Sequence, residues 1–139
     1  MFTHILLAAD GSAHSVRACE RAVFIAQKSN ADITLIHVVD DLPARSDVAD
    51  EEMRFREVPE HRKKRVDTIV HMLEKSGVSY TVHHIFGEPG PSIVRESKDR
   101  NADLVVLGSR GLNQFQQMVL GSVSHKVAKR AECPVMIVK

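Results

Sequence analysis

Cysteine is nearly absent from the chain. Only Cys19 and Cys133 occur among 139 residues, with no Cys-x-x-Cys spacing. That excludes a disulfide-stapled scaffold. Both thiols sit in helical or apolar stretches and read as buried free sulfhydryls in a reducing compartment. Net charge is nearly absent too, at +1 from 19 basic and 18 acidic side chains. A nucleic-acid binder would show a basic excess or stripe. The nearest candidate, His61-Arg62-Lys63-Lys64-Arg65, follows Asp50, Glu51, Glu52, Glu57 and Glu60, and so reads as a mixed-charge solvated face. Long hydrophobic runs are missing as well. The N-terminal run Ile5 to Ala9 is only a strand's length, which fits neither a signal peptide nor a membrane span. A cytoplasmic location is the resulting expectation. Eight histidines are present, but there is no His-Glu-x-x-His and no cysteine at ligand spacing, so a protein-bound zinc is not expected.

What is present is a regular alternation of apolar runs and amphipathic stretches. Ile5 to Ala9 ends at Asp10-Gly11-Ser12 and fits a strand buried on both faces. Val16, Cys19, Val23 and Ala26 then recur at helical spacing, with Ser12 as N-cap. Asp32 to Val39 reads as the second strand, with His37 as a hydrogen-bonded core residue. Residues 40 to 58 are charged, carry Pro43, and read as a long loop of the kind that is functional or mobile in compact domains. Pro59 suits the first turn of a second helix whose buried stripe is Val66, Ile69, Val70 and Leu73, stopped by Gly77. Tyr80 to Phe86 is a third strand on which the adjacent His83 and His84 face opposite sides. A short helix follows Pro89-Gly90-Pro91, with Ile93 and Val94 inward. Leu104 to Leu107 is the fourth strand. Val123, Val127 and Ala131 mark a last helix, and Val135 to Val138 a fifth strand. Phe115, Met118 and Met136 read as packing residues. The alternation predicts a single domain over 1–139, an open parallel α/β sheet with helices on both faces.

Ligands of such sheets sit beyond the carboxyl ends of the strands, where strand order reverses. Two loops have the composition this requires. One is Asp10-Gly11-Ser12. The other reads Gly108-Ser109-Arg110-Gly111, nine residues, then Gly121-Ser122-Val123-Ser124. Glycines let backbone amides approach an anion, and the start of the last helix offers unpaired N–H groups and a positive dipole end. Ser122 and Ser124 add hydroxyls. Gly108 or Ser122 alone would be an ordinary turn or helix cap; the joint spacing argues for an anion site, a nucleotide phosphate above all. Arg110 reads equally as a phosphate contact or as a solvent-facing side chain. No Gly-Lys-Ser/Thr follows the glycines, so the loop is not a Walker loop, and Gly-x-Gly-x-x-Gly is absent. Asp10 alone would be a helix or turn cap. Beside the glycine loop it reads as a partner of ribose hydroxyls or of a Mg²⁺ ion accompanying ATP.

With these residues in place the chain resembles the universal stress protein family, and specifically its ATP-binding branch. The resemblance covers the whole chain. It rests on Ile5 to Ser12, on Asp32 to Asp40 with its His37-Val38-Val39-Asp40 ending, on Gly87-Glu88-Pro89 with Ile93, and on the G-x-x-G-x(9)-G-[ST] spacing of Gly108, Gly111, Gly121 and Ser122. It implies a Rossmann-like, adenine nucleotide α-hydrolase-like fold. It also implies roles at the matching positions: Asp10 on ribose or a phosphate-bound metal, Val38 on adenine through its backbone with Ala8 lining the same pocket, Gly108 and Gly111 beside ribose and phosphates, and Gly121, Ser122, Val123 and Ser124 on the phosphates. Ser97 stands where the family often has alanine, away from this site.

The function expected on this basis is an ATP-dependent regulatory or stress-response module read by a protein partner. The alternatives are a slow ATPase and a dimeric regulator that binds no nucleotide. The glycine loop has no lysine and no evident base to orient water, and neither the Ser-Gly-Gly-x-Asp-Ser loop of ATP pyrophosphatases nor the His-Ile-Gly-His motif of adenylyl-transferring synthetases occurs. In the strand order 3-2-1-4-5, strands three and five are the edges. Strand three carries polar Tyr80, Thr81, His83 and His84, whereas Val135 to Val138 is guarded only by Pro134 and Lys139. An apolar unguarded edge is an aggregation hazard unless paired. It predicts a homodimer joined through Val135 to Val138 about a two-fold axis, the contact the family resemblance also implies. Sedimentation at micromolar concentration is expected to give a dimer, and a monomer there would contradict the pairing.

Overall fold

The computed structural model describes residues 1–40, 56–111 and 120–139. Among them, five strands form one parallel sheet in the order β3-β2-β1-β4-β5. The strands are β1 (His4–Ala8), β2 (Asp32–Val39), β3 (Tyr80–Phe86), β4 (Leu104–Gly108) and β5 (Val135–Val138). The helices between them are α1 (Ala13–Ser29), α2 (Glu60–Lys63), α3 (Asp67–Ser76), α4 (Pro89–Asp99) and α5 (Ser122–Arg130). The expected open α/β sheet and its order are thus observed.

The continuous apolar runs are explained by what covers them. Ile5 and Leu7 of β1, Ile33 and Leu35 of β2, and Val106 of β4 pack on one face against Ala18, Cys19, Ala22 and Ala26 of α1 and Ile69 and Leu73 of α3. Leu6, Ala8, Ile36, Val105 and Leu107 pack on the other face against Ile93 of α4 and Val127 of α5. A fully buried aliphatic side chain contributes about 1.5–3 kcal/mol, so a strand covered on both sides is held by every residue rather than by alternate ones. Burial of Cys19, with Glu20 nearby, pushes its thiol up to about 11. Asp103 anchors the start of the central strand, accepting the N–H of Thr3 at 2.8 Å and of His4 at 3.0 Å.

Ser12 caps α1 as expected, its hydroxyl accepting the Ser15 N–H at 3.2 Å, and Gly77 ends α3. Several details differ from the sequence expectation. β1 ends at Ala8, because Ala9 gives one last N–H bond to Ile36 and the chain then turns. The helix after Pro59 is interrupted by a 3₁₀ turn, Lys64–Val66. That turn brings the carbonyl of Arg65 against Gly11, whose φ of +92° and missing Cβ leave the space; a side chain at Gly11 would collide with the Arg65 oxygen. No residue of the basic run is buried, as a solvated face requires; Arg65 at its end is exposed, and only Val66, which follows it, is fully buried. The last helix stops at Arg130, with Ala131 as its C-cap. Cys133 is half-buried rather than buried, because it precedes an edge strand covered on fewer sides. Met136 faces outward from that edge. The expectations for Phe115, Met118 and most of the 40–58 loop lie outside the described residues.

His37 is 1% exposed and hydrogen-bonded, as expected. Its Nδ1 lies 2.9 Å from Nδ1 of His84, its register partner on β3. One ring must donate and the other accept, so the pair carries a single proton between the facing nitrogens. His83, on the opposite face, lies 3.2 Å from Arg100, which also pairs with the buried Glu96 at 2.9 Å. Burial and then Arg100 hold His83 below the ordinary histidine value; burial and then Lys63 do the same to His84. The unfolded chain therefore binds protons near pH 6.5 that the folded chain refuses, so this contribution to stability is complete above about 6.5 and is lost as pH falls below it. The thermal midpoint is expected to fall between about pH 7.5 and about pH 5.5, and to fall less in a His83→Gln, His84→Gln variant. Equal falls in both proteins would contradict this account.

Candidate functional site

Beyond the carboxyl ends of β1, β2 and β4 lies a cleft of about 360 Å³. All ten candidate residues line it: Ala8 and Asp10 after β1, Val38 on β2, Gly108, Arg110 and Gly111 after β4, and Gly121, Ser122, Val123 and Ser124 at the start of α5. The cleft has an apolar wall formed by Ala8, Ile36, Val38, Ile93, Leu107 and Val123, and a polar wall that includes Asp10, Ser15, Arg110 and Ser122. The pairing of β1 with β2 ends at Ala8–Ile36, apart from the Ala9 bond, whereas β2 continues to Val39. Val38 thus lies beyond the last β1 partner, at the open side of the strand.

The two helix starts facing the cleft differ. The Asp10-Gly11-Ser12 loop satisfies itself: Ser12 N–H donates to Asp10 Oδ1 at 2.9 Å, Gly11 N–H donates to Ser15 Oγ at 3.1 Å, and Ser15 N–H is capped by Ser12. α5 has no such arrangement. Its N-cap is Gly121, which makes no side-chain capping bond, and no acidic residue stands in its first turn. The N–H groups of that turn and the positive dipole end therefore face the cleft uncapped, which is the arrangement an anion completes. Ser122 is exposed at this start, so its hydroxyl is available. Ser124 is 2% exposed, and its hydroxyl lies 3.0 Å from the carbonyls of both Ser109 and Gly121, so its proton is engaged within the protein.

Close approach of backbone dictates the glycine at 108, and a side chain at 111 would crowd Asp10. A Cβ on Gly111 would lie 2.6 Å from Asp10 Oδ2, and one on Gly108 would lie 2.6 Å from His14 Cβ and 2.9 Å from its carbonyl carbon. At the other rim Lys126 of α5 pairs with Glu88 at 3.2 Å across the start of α4. Its methylenes run over Gly90, where a Cβ would lie 2.7 Å from Lys126 Cδ. Sequence reading passed over Ser15, Arg65, Glu88, Gly90 and Lys126 as cleft residues. Each reaches the cleft through a helix start or a long-range contact, and only the Gly87-Glu88-Pro89 turn carried a local signal.

Among the described residues no group of three or more His, Cys, Asp or Glu could hold a metal ion by itself, and no helix is long and apolar enough to cross a membrane. A Mg²⁺ ion would suit this cleft only as the companion of a polyphosphate, with Asp10 among the carboxylates that line it.

The model of the universal stress protein family matches residues 1–139. A universal stress protein of Bacillus subtilis, YxiE, is 32% identical, with all of each chain covered. A universal stress protein solved in complex with cAMP is 25% identical, with a TM-score of 0.74 and 99% and 97% of the two chains covered. A family member from Arabidopsis thaliana, solved with AMP bound, is 28% identical, with a TM-score of 0.68 and 99% and 91% covered.

Proposed function

The chain belongs to the universal stress protein family, and we propose that it is an ATP-binding member that acts as a nucleotide-dependent regulatory module. The observation that carries this reading is the uncapped start of α5, at the end of the glycine spacing, facing a cleft whose other wall is apolar. The solved relatives with cAMP and AMP support adenine nucleotides as the ligand class. In this reading adenine lies against Val38 and Ala8, ribose near Asp10 and Gly108, and the phosphates at Gly111, Gly121, Ser122 and Val123, with Ser124 holding the turn and Arg110 beside the outer phosphate. Mg²⁺ rides on the phosphate oxygens beside Asp10. The protein acts from the cytoplasm as one universal stress protein domain.

Regulation rather than turnover is favoured by the state of Asp10, a carboxylate that lines the cleft beside Gly111. Its Oδ1 is occupied by the Ser12 N–H, which suits a fixed acceptor better than a general base. The homodimer through β5 is part of the same proposal, supported by an edge on which Val135, Ile137 and Val138 are half-buried and Met136 is exposed.

Denaturing the purified protein and identifying the released small molecules by mass spectrometry is expected to yield ATP. Gly121→Val should abolish retention while leaving the urea unfolding curve close to wild type. Absence of any nucleotide from the wild type, or unchanged ATP affinity in Gly121→Val, would overturn the assignment; ADP as the main product would favour a slow ATPase.

A further inference from the structure

Two loops form the polar end of the cleft, and they come from opposite sides of the sheet. One leads from β1 into α1, which packs on one face; the other precedes α5, which packs on the opposite face. An anion cradle needs their separation fixed before a ligand arrives.

The side chain that links them is His14, in the first turn of α1. That turn lies directly on the end of β4, as the closeness of Gly108 to His14 shows. From there His14 Nδ1 reaches the Ser109 hydroxyl at 3.1 Å. Ser109 is 3% exposed and is bonded on every polar atom. Its carbonyl accepts the Gly121 N–H at 2.7 Å and faces the Ser124 hydroxyl at 3.0 Å, and its N–H donates to Val138 at 2.7 Å. The residue His14 grips is thus the one whose carbonyl locates the N-cap of α5. His14 itself is not among the residues that line the cleft.

We propose that His14 is a positioning residue for phosphate binding: through Ser109 it sets where Gly121 and the first turn of α5 stand relative to the Asp10 loop. This rests on the reading that phosphates occupy the start of α5. A hydrogen bond of this kind contributes on the order of 1 kcal/mol, which as a change in affinity is about fivefold. Because the brace acts on the phosphate end alone, its loss should leave recognition of the nucleoside intact. Asparagine carries both an amide oxygen and an amide N–H near the place of histidine Nδ1, so it can restore the bond whichever partner donates.

The test measures calorimetric affinities of the full chain for Mg-ATP and for adenosine, in the wild type and in His14→Ala, His14→Asn and Ser109→Ala. His14→Ala and Ser109→Ala are each expected to weaken ATP about fivefold and adenosine less than about twofold. His14→Asn should regain most of the ATP affinity, and the double alanine variant should be no weaker than either single one. Equal weakening of ATP and adenosine would reduce His14 to a structural role and overturn the proposal, as would an unchanged ATP affinity. A wild type that binds adenosine but gains nothing from the phosphates would overturn the phosphate reading and this inference with it, whereas a phosphate gain that survives every variant would overturn this inference alone.

Discussion

The structure depends on one constraint, the divergence of the chain at the carboxyl ends of β1 and β4. These neighbouring strands are paired through Ile5–Leu104, Leu6–Val105 and Leu7–Val106. Beyond the pairing, β1 leads into a helix on one face and β4 leads towards a helix on the other. Strands that lead to helices on opposite faces leave a crevice at their carboxyl ends, which follows from the topology. The buried sheet below is rigid because it is packed on both faces, and the crevice inherits that rigidity. Residues at its rim are held by strands and helix starts rather than by loops alone.

Two helix starts meet at this crevice, and their chemistry divides the work. Ser12, Ser15 and Asp10 close the first one internally, which stabilises the turn and occupies the N–H groups of Gly11, Ser12 and Ser15. Gly121 leaves the second open. Nature commonly caps helices with Ser, Thr, Asp or Asn; a glycine there gives up part of that stability and keeps the amides for another partner. The cost is reduced by holding Gly121 and Ser124 on the Ser109 carbonyl.

Much of this was legible in the sequence. Strands covered on both faces leave unbroken apolar runs, and the Ser12 cap, the Gly77 stop and the spacing from Gly108 to Ser122 are local signals with local causes. What stayed hidden depends on partners far along the chain. The 3₁₀ turn at Lys64–Val66 answers to Gly11, the His37–His84 pair to the register of β2 against β3, and the His14–Ser109 bond to two residues on different loops. The exposure of Met136 follows from its place on an edge, which composition alone does not reveal. The engagement of the Ser124 hydroxyl is likewise invisible until the turn is built.

The central claim is that an adenine nucleotide spans the cleft from Val38 to the start of α5. Titrating isotopically labelled protein with Mg-ATP and following backbone amide resonances tests it most directly. The account predicts that Val38, Gly121, Ser122 and Val123 shift together and saturate with one affinity, while His83 and Arg100 at the β3 edge stay in place. Shifts confined to the β3 edge, or none at the start of α5, would contradict it.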